Sequence, residues 1–420
     1  MKGNEFNLMP VLLLFGAIQG LFFSLVLFRM RTGNRLANRI LASLFLLFTI
    51  GLVDGFFSVT YLFLRYPFLI GVYRPLQFAY GPLFYFYVKS LTVSQGERVR
   101  RRFLAHFLPV IIFAVYLIPF YLLDADVKAR NWYFGNSHLR NFSMGIHPLV
   151  VVGIIQLTGY LVLSLRLLAN HSKYIRQNYS SLQDISLSWL RTVIVVGVLL
   201  VCMYACFAVF SQFFGIYEEL AYLNNLFVAV VIYVMAYKGI RQPRIFADAD
   251  MSRPADGVAH MPPDGLMLND SPLRIRPSEQ ERSPVDKYKK SALTGDQSEK
   301  ILNRLTVLME KEKPHLEMGL TLPALSKMLD VSPHHLSQVI NEVLAKSFFD
   351  FVNEYRVREA KKALASSDSE RFSILGIAMD AGFNSKSAFY TAFKKHTGMT
   401  PSQFKERIYT AEPSALLDHQ

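Results

Sequence analysis

Two hydrophobic patterns divide this chain. Through residues 1–244 the apolar positions come in long runs with few charges, at about 8–28, 41–63, 68–90, 104–123, 147–168, 191–213 and 220–237. A helix needs about twenty such residues to cross the hydrocarbon core of a bilayer. The pattern therefore predicts seven transmembrane helices. From about residue 296 the apolar positions instead recur three and four apart, the signature of short amphipathic helices with one buried face. The fold class expected is all-α: a polytopic seven-helix bundle in the membrane followed by a domain of short helices.

Within the second half one pattern occurs twice. Leu322, Leu325 and Leu329 mark a short helix, and Asp330-Val331 a turn. Ser332 is then an N-cap, Pro333 fits the first helical position, and Leu336, Val339 and Ile340 form a buried stripe. The second copy starts with Ile374, Ile377 and Ala378 and turns at Gly382, a residue that tolerates positive φ. Its second helix, from about Ser385, turns Phe389 and Phe393 inward. Lys386, Ser387, Thr391, Lys394 and Lys395 lie on the outer face, with no acid among them. Short helix, tight turn and polar-faced helix is the layout of a helix-turn-helix. Between the copies one connecting helix is expected, with Phe348, Val352, Tyr355 and Ala363 available for a core. Two units about fifty residues apart suit recognition helices that enter successive major grooves on one face of a duplex.

Charge changes the picture of the first half more than of the second. The chain carries a net +13, but residues 1–244 hold 22 Lys and Arg against 8 acids, while 296–410 hold 16 against 14. The overall basicity is therefore no argument for DNA. It is an argument about orientation. Arg29, Arg31, Arg35 and Arg39, then Lys89 with Arg98 and Arg100 to Arg102, then Arg166, Lys173, Arg176 and Arg191, then Lys238, Arg241 and Arg244 mark alternate connecting segments. The intervening segments are poorer in basic residues. Positive residues stay on the cytoplasmic side, so the N-terminus is expected outside and the C-terminal domain in the cytoplasm of a bacterial inner membrane. Only Lys2 precedes the first run and no small-residue cleavage site follows it, so it reads as an uncleaved span.

Residues 245–295 are rich in Pro, Asp and Ser without periodicity and read as a disordered tether. The domains expected are 1–244 in the membrane, 245–295 as linker, 296–410 for DNA binding and 411–420 as a tail. Cys202 and Cys206 sit in an apolar run and fit small core fillers better than a disulfide framework or metal site. No phosphate loop, zinc-protease motif or nucleophile elbow occurs, so neither a catalytic residue, a metal nor a cofactor is expected. The adjacent His334 and His335 fit the start of a DNA-reading helix better than a metal site. Asp54, mid-span, must face the bundle interior or a wet cavity. With Arg74 it is a candidate ligand pocket, the plainer reading being interhelical hydrogen bonding. The outer segment 124–143, with Trp132, Tyr133 and Phe134, reads as a lid or, more plainly, an aromatic interface anchor.

Over roughly Asp296 to Arg407 the chain resembles the AraC/XylS family of bacterial transcription regulators. The resemblance is carried by LPALSKMLDVSPHHLSQVIN, by FFDFVNEYRVREAK and by SILGIAMDAGFNSKSAFYTAFKKHTGMTPSQF. It implies a seven-helix domain holding two helix-turn-helices. By position it implies base-facing roles for His334, Ser337 and Gln338 in the first recognition helix, and for Lys386, Ser387 and Thr391 in the second, with Asn384 nearby. The family often has Gly where Leu344-Ala345-Lys346 ends the first recognition helix, so Ala345 would cost about 1 kcal/mol if that position is left-handed.

The function expected is a one-component regulator that senses a signal in the membrane, of small-molecule or membrane origin, and binds promoter DNA. Its further partners would be the lipid bilayer, RNA polymerase and a second copy in a homodimer. The competing reading is a membrane transporter or enzyme with a regulatory DNA-binding domain, and a third is release of the DNA-binding domain by proteolysis in the tether.

Overall fold

A computed structural model of the protein describes residues 8–31, 33–92, 101–134, 148–183, 185–214, 231, 234–235, 237–238, 293–366 and 371–411. Residues 245–292 of the expected tether and most of the seventh apolar run lie outside these. The chain divides into two compact units, the first of residues 1–172 and 184–250, the second of residues 173–183 and 251–420. Among the described residues the regular structure is helical.

In the first unit, α1 (Leu8–Arg29) and α2 (Arg35–Val59) form a hairpin across a turn in which Gly33 takes φ +76°. Asn34 fixes the entry to α2: its side-chain oxygen accepts from the Ala37 amide at 3.1 Å, and its Nδ2 donates to the Ser90 carbonyl at 2.7 Å. The buried side of α1 carries Gly16, Ala17, Gly20 and Ser24, whose hydroxyl donates to the Ala42 carbonyl at 2.9 Å. Leu13 and Leu27 are buried with them, while Phe15 and Phe22 are more than 60% exposed. Small residues inside and phenylalanines outside invert the order of a water-soluble helix and match helices that pack in lipid.

α2 is followed by short 3₁₀ turns, Leu62–Leu64, Pro67–Leu69 and Pro75–Ala79, and by α3 (Tyr80–Thr92). The single helix expected over 68–90 is therefore not formed. The reason is local: Gly71 turns left-handed at φ 83°, and Pro75 lacks the amide that a continuous helix would need. The expected helix over 104–123 is likewise split into a 3₁₀ turn (Arg101–Phe107), α4 (Leu108–Tyr116) and α5 (Ile118–Tyr121), with Pro119 in the last piece. α6 (Ala125–Phe134) begins the segment read as lid or anchor, the rest of which lies outside the described residues. α7 (Pro148–Asn178) and α8 (Ser188–Phe214) complete the set. Among the described residues three helical stretches, Leu8–Arg29, Arg35–Val59 and Val151–Asn178, are long and apolar enough to cross a membrane, against the seven expected.

The second unit begins with α9 (Gly295–Lys311), opened by a capping box between Thr294 and Gln297. It continues with α10 (Leu322–Met328), α11 (Pro333–Gln338), α12 (Phe348–Ala365), α13 (Ile374–Asp380), α14 (Lys386–Thr397) and α15 (Pro401–Ala411). That is the seven-helix count the resemblance implies. The helices bury two cores. Ile301, Leu305, Leu325, Leu336 and Ile340 fill the first, and Ile377, Ala378, Phe383, Phe389 and Phe393 fill the second. α12 serves both: Phe348, Phe351 and Val352 go into the first core, Val357, Ala360 and Leu364 into the second. Ala363, expected in the core, is exposed, because the helical period brings Ala360 and Leu364 inward instead.

The helix α11 ends in an irregular way. After α11 the chain makes a π-helical turn, Val339–Val343, and Ala345 adopts φ 51°. The left-handed cost anticipated at this position is real. Ala345→Gly is expected to stabilise the second unit by about 1 kcal/mol, read as a higher midpoint in chemical denaturation with an unchanged slope.

His315 is nearly inaccessible, and neither ring nitrogen has a hydrogen-bond partner. Burial pushes its pKa down to about 4, against the pull of Glu359. Above the unfolded value of about 6.5 the ring is neutral in both states and nothing is lost. As pH falls from there towards 4, only the unfolded chain takes the proton. Stability should then drop by at most about 3 kcal/mol before levelling off. Denaturation midpoints across this window should slope for the parent and flatten for His315→Leu.

Candidate nucleic-acid interface

Each helix-turn-helix is shaped by the same backbone device. At the end of α10 the Val331 amide donates to the Ser326 carbonyl and the Asp330 amide to Lys327. At the end of α13 Phe383 donates to Ala378 and Gly382 to Met379. Both are Schellman turns, which satisfy the last helical carbonyls around one left-handed residue. That residue is Asp330 at φ 53° in the first copy and Gly382 at φ 88° in the second. Each second helix then starts on a serine cap, Ser332 accepting from His335 N and Ser385 from Ala388 N. Aspartate tolerates the left-handed region better than most residues, so the first turn does without glycine. The second does not have that choice: a Cβ on Gly382 would lie 2.5 Å from the His315 carbonyl oxygen.

The side chains expected to read DNA divide into two groups. On α14, Lys386, Ser387, Thr391, Lys394 and Lys395 are all exposed, while Phe389 and Phe393 are fully buried beneath them. Lys386 extends over the Tyr390 ring, 5.4 Å from its centre, and Ser387 lies 3.3 Å from the Ser385 hydroxyl. Lys395 is the exception, since its ammonium pairs with Asp350 at 2.6 Å. Burial works to raise the Asp350 carboxyl, but hydrogen bonds from Lys395 and Ser347 and the charge of Arg176 hold it below the usual range. Lys394 is therefore the better candidate for a phosphate contact.

On α11, His334 is exposed, but Ser337 and Gln338 are only half-exposed and already engaged. The Gln338 amide donates to Glu342 at 2.9 Å, and the Ser337 hydroxyl accepts from Asn341 at 3.0 Å. Such bonds hold side chains in one rotamer. They also put an acid beside Gln338 on α11. α14 is thus the more cationic of the two helices. Asn384 sits just before the cap of α14, half-buried, with its amide bonded to the Ser181 hydroxyl at 2.6 Å.

Sequence reasoning passed over Arg356. It is 1% exposed and the largest fully buried side chain of the described residues. Its guanidinium donates to the carbonyls of His315 at 2.7 Å and Glu317 at 2.7 Å, and to Ser180 at 3.1 Å. Desolvation lowers its pKa to about 10, which still leaves it charged at neutral pH. Nothing in the local pattern separates it from the neighbouring Arg358, which is exposed. Its position next to Val357, on the side of α12 that carries Ala360 and Leu364, could only have been read with the helix phase already known.

In the first unit, Asp54 on α2 and Arg74 lie near enough for the guanidinium to attract the carboxylate. Beside them the Tyr73 and Tyr80 hydroxyls bond at 2.7 Å, and Tyr80 donates on to the Leu47 carbonyl at 3.2 Å. The Tyr73 ring fills the space next to Gly51, where a Cβ would meet its hydroxyl at 2.6 Å. The described residues include no cluster of His, Cys, Asp or Glu able to hold a metal ion.

Residues 325–407 match a family described as a helix-turn-helix domain. Over 103 residues the chain is 33% identical to the HTH-type transcriptional regulator GlxA of Rhizobium meliloti (strain 1021), a match covering 24% of this chain and 31% of that protein. It is 29% identical over 109 residues to the probable transcription factor PqrA of Proteus vulgaris, covering 26% of this chain and 86% of that one. A third relative is an uncharacterized HTH-type transcriptional regulator of Staphylococcus aureus (strain COL), 35% identical over 91 residues, or 22% of this chain and 12% of that protein. The chain thus spans about a third of the length of the first relative, and the family match lies within the second unit. What these matches and the paired Schellman turns establish together is that this chain carries a helix-turn-helix domain similar to those of bacterial transcriptional regulators.

Proposed function

We propose that the chain is a membrane-embedded, one-component transcription regulator of the AraC/XylS type. The single observation that carries this reading is the repeated helix, Schellman turn and capped helix, joined by α12 and lying where the chain is similar to transcriptional regulators. The second helix of each copy is the element that would enter a major groove. Three apolar helices, one of them with small residues buried and phenylalanines outward, support the membrane part. The basic segments between the apolar runs favour an outside N-terminus and a cytoplasmic DNA-binding domain. On this reading promoter DNA, the bilayer, RNA polymerase and a second copy are its partners, and the membrane bundle receives the signal.

The test is a cross-linking map of DNA bound in living cells by the full-length protein. Discrete sites sharing a motif about two helical turns long are expected. In gel shifts on such a site, Thr391→Ala and Gln338→Ala should each relax specificity by about 1–3 kcal/mol. Lys394→Ala should weaken all sequences alike and lower the salt slope by about one. Absence of any enriched site would turn attention to the Asp54–Arg74 pair and a transporter, for which substrate flux lost in Asp54→Asn is the measurement.

A further inference from the structure

Residues 173–183 belong to the second unit, although about 110 residues separate them from α9 in the chain. They comprise the last residues of α7 and the strap that follows. Arg176 lies 3.6 Å from the Asp350 carboxylate, with its guanidinium over the Phe349 ring. Tyr179 makes an antiparallel bridge with Thr321, the cap of α10. The Ser180 amide donates to the Leu320 carbonyl at 3.2 Å. Ser180 is 1% exposed, and Arg356 donates to both its carbonyl and its hydroxyl at 3.1 Å. Ser181 then accepts from Asn384. The strap therefore holds the lead-in of the first helix-turn-helix, the connecting helix and the turn of the second.

We propose that this strap is an intramolecular latch that competes with DNA for the DNA-binding unit. The inference rests on the regulator reading above. Its basis is the position of Asn384, one residue before the cap of α14. A helix N-terminus is where a DNA phosphate is held. With the strap docked, the Asn384 amide is committed to Ser181, and Ser181 stands beside the entrance to the second reader. Ser180 is buried and bonded through its backbone and its side chain, which is the mark of a seated segment rather than a grazing loop. α7 runs unbroken from Pro148 to Asn178. A change in its apolar part has a covalent route to Ser180 that does not pass through residues 245–295.

The test uses the full-length protein in detergent and short mixed-sequence duplex DNA at fixed salt. Ser180→Arg places a second guanidinium against Arg356 and should expel the strap. The variant is expected to bind duplex roughly 5- to 100-fold more tightly than the parent, the range of ordinary coupling between two sites. Ser181→Ala, which frees Asn384 alone, should move the same way by less. Reciprocally, saturating duplex should speed amide exchange at Ser180 in the parent, since linkage is mutual. Amide protection within α12 reports that the variants remain folded. Equal affinity of parent and variants, or Ser180 exchange indifferent to DNA, overturns the latch alone. Failure of every protein to bind any duplex overturns the DNA reading and the latch with it.

Discussion

Gly382→Ala is expected to unfold the second helix-turn-helix. The backbone there sits at φ +88°, a region an alanine enters only with strain. The added methyl would also lie 2.5 Å from the His315 carbonyl oxygen, 2.8 Å from that of Leu316 and 2.9 Å from the Leu316 Cα. All three are backbone atoms and cannot rotate aside as a side chain would. Strain and collision together should cost about 3 kcal/mol or more, a large share of the stability of a domain this size. Amide exchange should accelerate across α13 and α14, and duplex binding should be lost. Unchanged protection of Phe383 and Phe389 would show that the 315–316 backbone can yield. The matching change at the first turn, Asp330→Gly, should be neutral or mildly stabilising, because that position already tolerates a Cβ.

The second large effect is expected at Arg356. Replacing it with Met keeps much of the volume but leaves the His315 and Glu317 carbonyls and the Ser180 groups without their donor. Buried acceptors stripped of a charged partner cost about 1–3 kcal/mol each when they cannot rehydrate. A net loss of about 3–5 kcal/mol is expected, with the 314–321 segment released first. Arg356→Lys should recover little of it, since a single ammonium cannot reach acceptors spread around a planar fork. A lysine variant as stable as the parent in denaturation would contradict this.

Both turns, the Ser332 cap and the inward phenylalanines of α14 were readable in the sequence because each depends on residues within a few positions of one another. Ser332 with Pro333, and Gly382 before Phe383, carry their own geometry. The membrane half was less legible. Apolar content marked 68–90 and 104–123 as spans, yet the left-handed Gly71 and the prolines break them into shorter pieces. Hydropathy counts carbon and ignores the missing amide. The candidate interface was legible as an exposed face but not as a network. Lys395 looks as free as Lys394 until Asp350, 45 residues earlier, is brought against it. Gln338 looks like a ready donor until Glu342 occupies it. Ser180 and Ser181 carry no local signal at all, since what matters about them is Arg356 and Asn384, 176 and 203 residues distant.

The sharing of α12 between two cores also limits how this protein could change its target. Phe348 to Val352 and Val357 to Leu364 are fixed on one rod, so the angle between the two readers is set by the number of residues between them. Adding one residue there would rotate the second core about 100° and advance it about 1.5 Å relative to the first. Point substitutions on α11 and α14 can retune which bases are preferred, one position at a time. The distance between the two half-motifs offers no such gradual path. In lineages descended from this chain, base preference should drift while spacing stays constant.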